Sequence, residues 1–234
     1  YEIMPSLVGS EMCIRDSLYT VRCEIFDSTT QEVTDNIDIR TGLREYHIDS
    51  HKGFFLNGEH IKLQGVSRHQ DRENMGNAIT EKQHAEDVKI ILDVGANSVR
   101  LAHYQQNSYF YDLCDESGLL VWAEVPVISR FSPKRNENAE QQLVELIKQN
   151  YNHPSIFCWG IENEITIAGS ASKKLITFLK HMHKVARHLD PTRYTTCAQL
   201  TMCPVNSPLN HITDIIGYNH YLSLIHISEP TRLG

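Results

Sequence analysis

The residues best placed to do chemistry are Asn163-Glu164, which close the run Asn152-His153-Pro154-Ser155-Ile156-Phe157-Cys158-Trp159-Gly160-Ile161-Glu162. A short apolar stretch behind a His-Pro turn reads as a buried strand, and Asn-Glu falls where that strand runs out toward solvent. A carboxyl group on so rigid a support can give and take a proton, and parallel α/β barrels carry their reactive groups at the carboxyl ends of strands. Three other strand-like stretches end in groups able to orient a polar ligand: Gly65-Val66-Ser67-Arg68-His69-Gln70-Asp71, Asn97-Ser98-Val99-Arg100-Leu101-Ala102-His103-Tyr104 and Gly217-Tyr218-Asn219-His220-Tyr221. A guanidinium beside a carboxylate keeps it ionised and fixes its direction, which makes Arg100 a candidate partner for an acid. Singly, each group also has a plain structural reading, since a His ending a strand is usually satisfied by its own fold and Arg100 could be tied to a helix carboxylate. Glu162 shares the facing of Glu164 by strand alternation but sits deeper. Glu124 reads as structural or as pocket floor, and Trp159 as packed inside the wall.

Positioning these groups requires strands and helices in alternation. Strand-like runs at Ile61–Val66, Ser98–Leu101, Leu119–Ala123, Ile156–Trp159, Tyr194–Ala198 and Ile215–Tyr218 are separated by helical segments. The clearest helix starts at Thr80, with Gln83 completing a capping box, carries Ala85, Val88, Ile91 and Leu92 on one side, and stops at Gly95. Further helices fit Ser108–Ser117, Asn138–Asn150 and Ser170–Leu189. Gln64-Gly65-Val66-Ser67-Arg68-His69 stands where a doubly wound sheet would carry its Gly-rich phosphate loop, so a closed barrel is the better reading. The fold class is α/β: an incomplete TIM (β/α)8 barrel of about six of the eight units. Before it, residues 18–26 alternate, Asp27-Ser28-Thr29-Thr30 turns, and Glu32 to Arg40 alternates again, a hairpin of antiparallel structure.

Composition narrows the function classes. The chain has 234 residues, 41% hydrophobic and 22% charged, with a formal net charge of −7, which fits a globular protein and speaks against nucleic acid as a partner. No apolar stretch reaches the roughly 18 residues that span a bilayer, so no membrane partner is expected. The six cysteines, at 13, 23, 114, 158, 197 and 203, show no metal-ligand spacing. Free thiols in a reducing compartment follow, and with them a cytoplasmic location, although the native start is expected to be missing.

The run N-H-P-S-I-F-C-W-G-I-E-N-E resembles the acid/base strand of glycoside hydrolase family 2, and the other three stretches resemble that family's G-V-N-R-H-E, N-A-V-R-x-x-H-Y and G-x-N-x-Y motifs in the same order. The resemblance implies a retaining β-glycosidase with Glu164 as general acid/base. It also implies that His69, His103, Asn163 and Tyr221 bind the sugar, and that Arg100 supports the nucleophile, as Tyr221 also would. The immunoglobulin-like domain that precedes the family's barrel would supply residues 18–46 as its last β-sandwich strands, with Thr41-Gly42-Leu43-Arg44 closing it, and residues 47–222 would be the partial barrel. Residues 1–17 and 223–234 resemble translated sequencing-adapter DNA and are expected to be artefactual. The family's nucleophile ends a seventh strand, which falls beyond this chain, so the fragment itself is expected to be inactive and to leave its outer strands unpaired.

A terminal β-galactoside or β-linked oligosaccharide is the expected substrate. A β-glucuronidase or another β-glycosidase of the family is the alternative, and a noncatalytic carbohydrate-binding barrel is the reading from another class. No cofactor is expected, because the magnesium ligands of related β-galactosidases are replaced by Ile128 and Arg130. A homo-oligomeric parent is left open.

Overall fold

The computed structural model describes the backbone of residues 2–8 and residues 18–220 in full. Antiparallel structure comes first: β1 (Glu2–Val8), β2 (Leu18–Phe26) and β3 (Val33–Gly42) form a sheet in that order. At the β2–β3 turn the Asp27 carboxylate accepts from the Thr29 and Thr30 N–H groups at 2.7 and 3.1 Å, the local bonding that suits Asp to turns. Strand structure does not begin at Leu18 as the alternation suggested, because β1 pairs with β2 from Glu2↔Phe26 to Val8↔Thr20. The run EIMPSLV lacks a period of two, and its Pro5 is tolerated because β1 lies at the sheet edge.

A second small sheet follows, β4 (Tyr46–Asp49), β5 (Gly53–Leu56) and β6 (Glu59–Ile61). Asn57 and Gly58, with φ of 50° and 80°, turn β5 into β6. Positive φ at both central positions is what a two-residue hairpin of matching twist needs, and Asn-Gly meets it at low cost. Ile61 therefore pairs with Phe54, and the next strand starts only at Gly65 rather than at Ile61.

From there strands and helices alternate: β7 (Gly65–Arg68), α1 (Glu81–Asp93), β8 (Ser98–Leu101), α2 (Ser108–Ser117), β9 (Leu120–Glu124), α3 (Asn136–Asn150), β10 (Ile156–Asn163), α4 (Lys173–Leu189), β11 (Tyr194–Leu200) and β12 (Ile215–Asn219). The six parallel strands lie in strictly sequential order, β7 to β12. A doubly wound sheet reverses its strand order where the second half begins, so sequential order is that of a barrel wall. The helix starts follow capping chemistry. Gln83 Oε1 accepts from the Thr80 N–H at 2.8 Å, Asn107 from the Tyr109 N–H at 2.9 Å, and Ser172 from the Leu175 N–H at 3.2 Å. The Ser172 cap is why α4 starts at Lys173 rather than Ser170. Between β11 and β12 a single 3-10 turn, Pro208–His211, replaces a helix. No helix among the described residues is long and apolar enough to cross a membrane, and the five described cysteines are free.

The chain groups into two compact units. The first comprises Tyr1–Ala102, Gln106–Trp122 and Gln149–Phe157; the second comprises His103–Gln105, Ala123–Lys148 and Cys158–Gly234. In the first, Phe54 meets Phe157 edge-on at 5.4 Å, and Phe110, Tyr111, Leu101 and Leu119 are buried. The inward face of α1 is His84, Val88 and Ile91, whereas Ala85 and Leu92 are exposed. His84 takes a core position because its Nδ1 lies 3.0 Å from Arg68 Nη2. Burial, reinforced by the Arg68 charge, holds its imidazole below the usual pKa. In the second unit α4 buries Leu175, Phe178, Leu179, Met182 and Ala186, a helical stripe at spacings of three and four.

Trp159 is fully buried, as its place in the wall suggested, and its Nε1 donates to Asp190 Oδ2 at 2.9 Å. The same carboxylate accepts from Arg193 Nη1 at 2.7 Å, and its other oxygen accepts from the Thr192 N–H at 2.9 Å. Burial alone would raise the Asp190 pKa, but the hydrogen bonds from Thr192 and Arg193 hold it below the usual carboxylate range. A depressed folded-state pKa contributes stability above the unfolded value, which is lost as pH falls through the folded one. Asp190→Ala, which strands the buried Arg193 charge, is expected to cost about 3–5 kcal/mol at neutral pH. Urea unfolding followed by fluorescence should show this, with the gap to the unsubstituted protein narrowing below about pH 4; a loss under about 1 kcal/mol would refute the network's role.

Candidate active site

Every residue of β10 is buried, as a strand covered on both faces requires. Near its carboxyl end the register with β11 shifts between Gly160 and Asn163, where pairing resumes with Ala198 on one side and a parallel bridge to Ile128 on the other. The Asn163 N–H donates to the Val127 carbonyl at 2.9 Å, and the Asn163 carbonyl accepts from the Ser129 N–H at 3.1 Å. Glu164 then takes φ of 47°, in the left-handed region that a branched or charged L-residue rarely adopts. Such a conformation costs on the order of 1–3 kcal/mol and persists only where surrounding bonds impose it. Here the Glu164 N–H donates to the Ala198 carbonyl at 2.8 Å, and Glu162 Oε2 accepts from the Ile165 N–H at 3.1 Å. Glu162, expected to be the idle neighbour of Glu164, closes the turn that presents it.

Asn219, the last residue of β12, joins this corner. Its Nδ2 donates to Asn163 Oδ1 at 2.9 Å and to Glu164 Oε1 at 3.0 Å, so both amide hydrogens are used on the Asn-Glu pair. Asn219 was not singled out in the sequence, although it is the Asn of Gly217-x-Asn219-x-Tyr221. Glu164 is 5% exposed. A nearly buried carboxyl group with one oxygen held by an amide can keep a fixed direction while it exchanges a proton, the geometric requirement for an acid/base.

Two further groups of the second unit pair with each other. His103 Nδ1 lies 2.5 Å from Glu124 Oε1, and Glu124 is fully buried. A carboxylate on Nδ1 fixes both the plane of the imidazole and which nitrogen carries its proton. Glu124, at the end of β9, thus orients a predicted sugar-binding histidine, a link that needs strand order as well as sequence.

The first unit holds the other predicted groups. Arg100 is half-buried with its guanidinium 4.6 Å above the Trp122 ring, an arrangement in which the ring face attracts the cation. His69 is exposed, one residue beyond β7. The buried member of its motif is Arg68, which donates to Asp87 Oδ2 at 2.7 and 3.0 Å, bonds Gln106, and lies 3.9 Å over the Phe110 ring. Arg68 is therefore a framework residue that fixes the end of β7. Tyr221 lies outside the described residues, as do residues 223–234. Of the predicted set, the structure brings Asn163 and Glu164 together with Asn219 and pairs His103 with Glu124.

For a metal, Ile128 and Arg130 offer an alkyl group and a guanidinium, neither of which ligates a cation. Asp112, Asp115 and His153 do lie close together in the first unit. Their bonds are structural: Asp115 Oδ2 is 2.6 Å from His153 Nδ1, and its Oδ1 accepts from the Ser155 N–H at 3.0 Å, tying α2 to the start of β10.

The family model described as glycosyl hydrolases family 2, TIM barrel domain, matches residues 48–229. A protein named β-glucuronidase from Bacteroides fragilis is 43% identical over 196 residues, covering 80% of this chain and 27% of that protein. Among solved structures, an FMN-binding β-glucuronidase from Facaelibacterium prausnitzii L2-6 superposes with a TM-score of 0.83 at 43% identity, over 90% of this chain and 35% of that one. A putative β-galactosidase from Bacteroides fragilis gives 0.81 at 40% identity, over 87% and 29%. The chain spans about a quarter of the curated relatives it matches, 27% and 22% for the first two. With the family model covering most of its length and its strand order that of the barrel, the chain belongs to glycosyl hydrolase family 2.

Proposed function

We propose that the protein carrying this chain is a retaining β-glycosidase that removes terminal β-galactosides, with Glu164 as its general acid and then base. The observation that supports this most directly is the corner at the end of β10. There a nearly buried glutamate is held in a left-handed backbone conformation, with Asn219 on one of its oxygens. In such a reaction Glu164 protonates the leaving oxygen while a second carboxylate about 5–5.5 Å away attacks the anomeric carbon, and Glu164 then takes a proton from water to release the sugar. Asn163, His69, His103 and Tyr221 are the proposed sugar-binding groups, and Arg100 the proposed support of the second carboxylate. Glu124 and Asn219 are positioning residues for His103 and Glu164. No metal or cofactor takes part in the reaction as proposed.

A second reading, β-glucuronides as substrate, is favoured by the names of the two relatives at 43% identity. The noncatalytic alternative is disfavoured because the acid, its amide partner and the histidine–carboxylate pair form a bonded set.

In the longer polypeptide that carries this segment, an aryl β-galactoside should be hydrolysed with the β configuration retained. Proton NMR of the first-formed product reads this, and an inverted product, or turnover of β-glucuronides alone, would refute the galactosidase reading. Glu164→Gln should slow substrates with poor leaving groups by about 10² to 10⁴, and activated aryl substrates less, with azide rescuing the second step. Equal losses on all leaving groups without rescue would remove Glu164 from the role. Asn219→Ala deletes a hydrogen bond to a charged group and should lower kcat by about 10- to 100-fold with little change in KM; an effect confined to KM would reassign Asn219 to substrate binding.

A further inference from the structure

The connection from β9 to α3 walls a cavity of about 400 Å³ within the second unit. Its lining is of two kinds. Val127, Ile165, Phe131 and Phe178 make an apolar side, the two phenyl rings 5.7 Å apart and inclined at 34°. Arg130, Lys134 and Arg135 make a cationic side, and no Asp or Glu lines the cavity. Among the described residues no carboxylate forms a salt bridge with any of the three. The acids of α3 lie elsewhere: Glu140 is 2.8 Å from His181 and Glu145 accepts from Gln141 at 2.8 Å, while Glu137 is outside the lining. Asn136 and Ala139, from the amino end of this fifteen-residue helix, also line the cavity, so the positive end of its dipole adds to the same field.

The cavity adjoins the strand end that carries Glu164. Ile165 follows Glu164 directly, and the carbonyl of Val127 accepts from the Asn163 N–H at 2.9 Å. A general acid delivers its proton to the oxygen of the leaving group, so the departing portion of a substrate lies on the acid's side. We propose that this cavity binds the leaving portion of the substrate and selects one with an anionic substituent, a carboxylate or a sulfate, on an apolar frame. The proposal rests on Glu164 being the acid/base. Three like charges around one cavity repel one another, and an anion among them relieves that repulsion. The phenyl and aliphatic side offers nothing to a small hydrated ion and favours a ligand that carries both a ring and a charge.

The test uses the full chain and simple probes: benzoate and phenyl sulfate as charged rings, phenol as the neutral ring, and inorganic sulfate as the bare ion, titrated by NMR. An exposed ion pair gives at most about a fivefold gain, so three weak ones together should favour benzoate and phenyl sulfate over phenol by about tenfold at low salt. The preference should shrink as ionic strength rises. Replacing all three cations, Arg130→Gln, Lys134→Gln and Arg135→Gln, should abolish it with circular dichroism unchanged; if that variant fails to fold, Arg130→Gln and Arg135→Gln singly should each reduce it. Charged rings binding no better than phenol, a preference that survives loss of the cations, or inorganic sulfate binding as tightly as phenyl sulfate would overturn the proposal. Glu164→Gln should leave the binding of benzoate unchanged. Hydrolysis is read in the longer polypeptide that carries this segment: should Glu164 not be the acid, its variant there would hydrolyse normally while the anions still bound to this chain, which separates failure of the catalytic reading from failure of this one.

Discussion

The end of β10 is where local preference and tertiary structure oppose each other. A glutamate has little reason to enter the left-handed region on its own, and the ladder with β11 is interrupted between Gly160 and Asn163, just before it. Hydrogen bonds from three directions supply what the strand no longer can: the carbonyl of Ala198 takes the Glu164 N–H, Glu162 takes the Ile165 N–H, and Val127 takes the Asn163 N–H. The remainder of the second unit serves this arrangement. β11 must lie beside β10 to offer Ala198, β12 must lie one strand further to bring Asn219, and the segment after β9 must run alongside to offer Val127. Sequential strand order provides all three without any long loop being ordered for the purpose.

The same division of labour recurs at the other strand ends. At the ends of β7 and β9 a buried charged residue is given over to framework. Arg68 is buried among Asp87, His84 and Gln106, so that its neighbour His69 stands exposed at a fixed point. Glu124 is buried so that His103 has a defined orientation. Arg68 and Glu124 would be costly in a core if unpaired, and each has a partner. Charged residues at the strand ends thus divide into those that hold a position and those that are held there.

Much of this was legible in the residues. Period-two and helical patterns located the parallel strands and the helices to within a few residues, because those segments are long enough to average out exceptions. The missing phosphate loop identified the barrel. Other features were present in the sequence but unweighted: Asn57-Gly58 is a strong hairpin signal, and reading it would have separated β6 from β7. The strand at Glu2–Val8 was not readable from alternation, since its pairing rests on backbone groups. Least legible were the bonds of Asn219 to Asn163 and Glu164, which join residues more than fifty positions apart, and the left-handed turn at Glu164, which local propensity argues against. Both depend on which strands are neighbours, and strand adjacency is a property of the fold.

Ser129 ties the two sides of this corner together. Its own φ is positive, at 58°; its N–H reaches the Asn163 carbonyl, and its carbonyl accepts from the Ala168 N–H at 3.1 Å. The segment after β9 is in effect sewn to the chain before and after Glu164. An insertion or deletion between Val127 and Ser129 would shift the acid along with the wall beside it, whereas length changes from Arg130 to Arg135 would leave those stitches intact. Divergence in what this protein accepts should therefore accumulate on the far side of Ser129, with the stretch from Val127 to Ser129 constant in length.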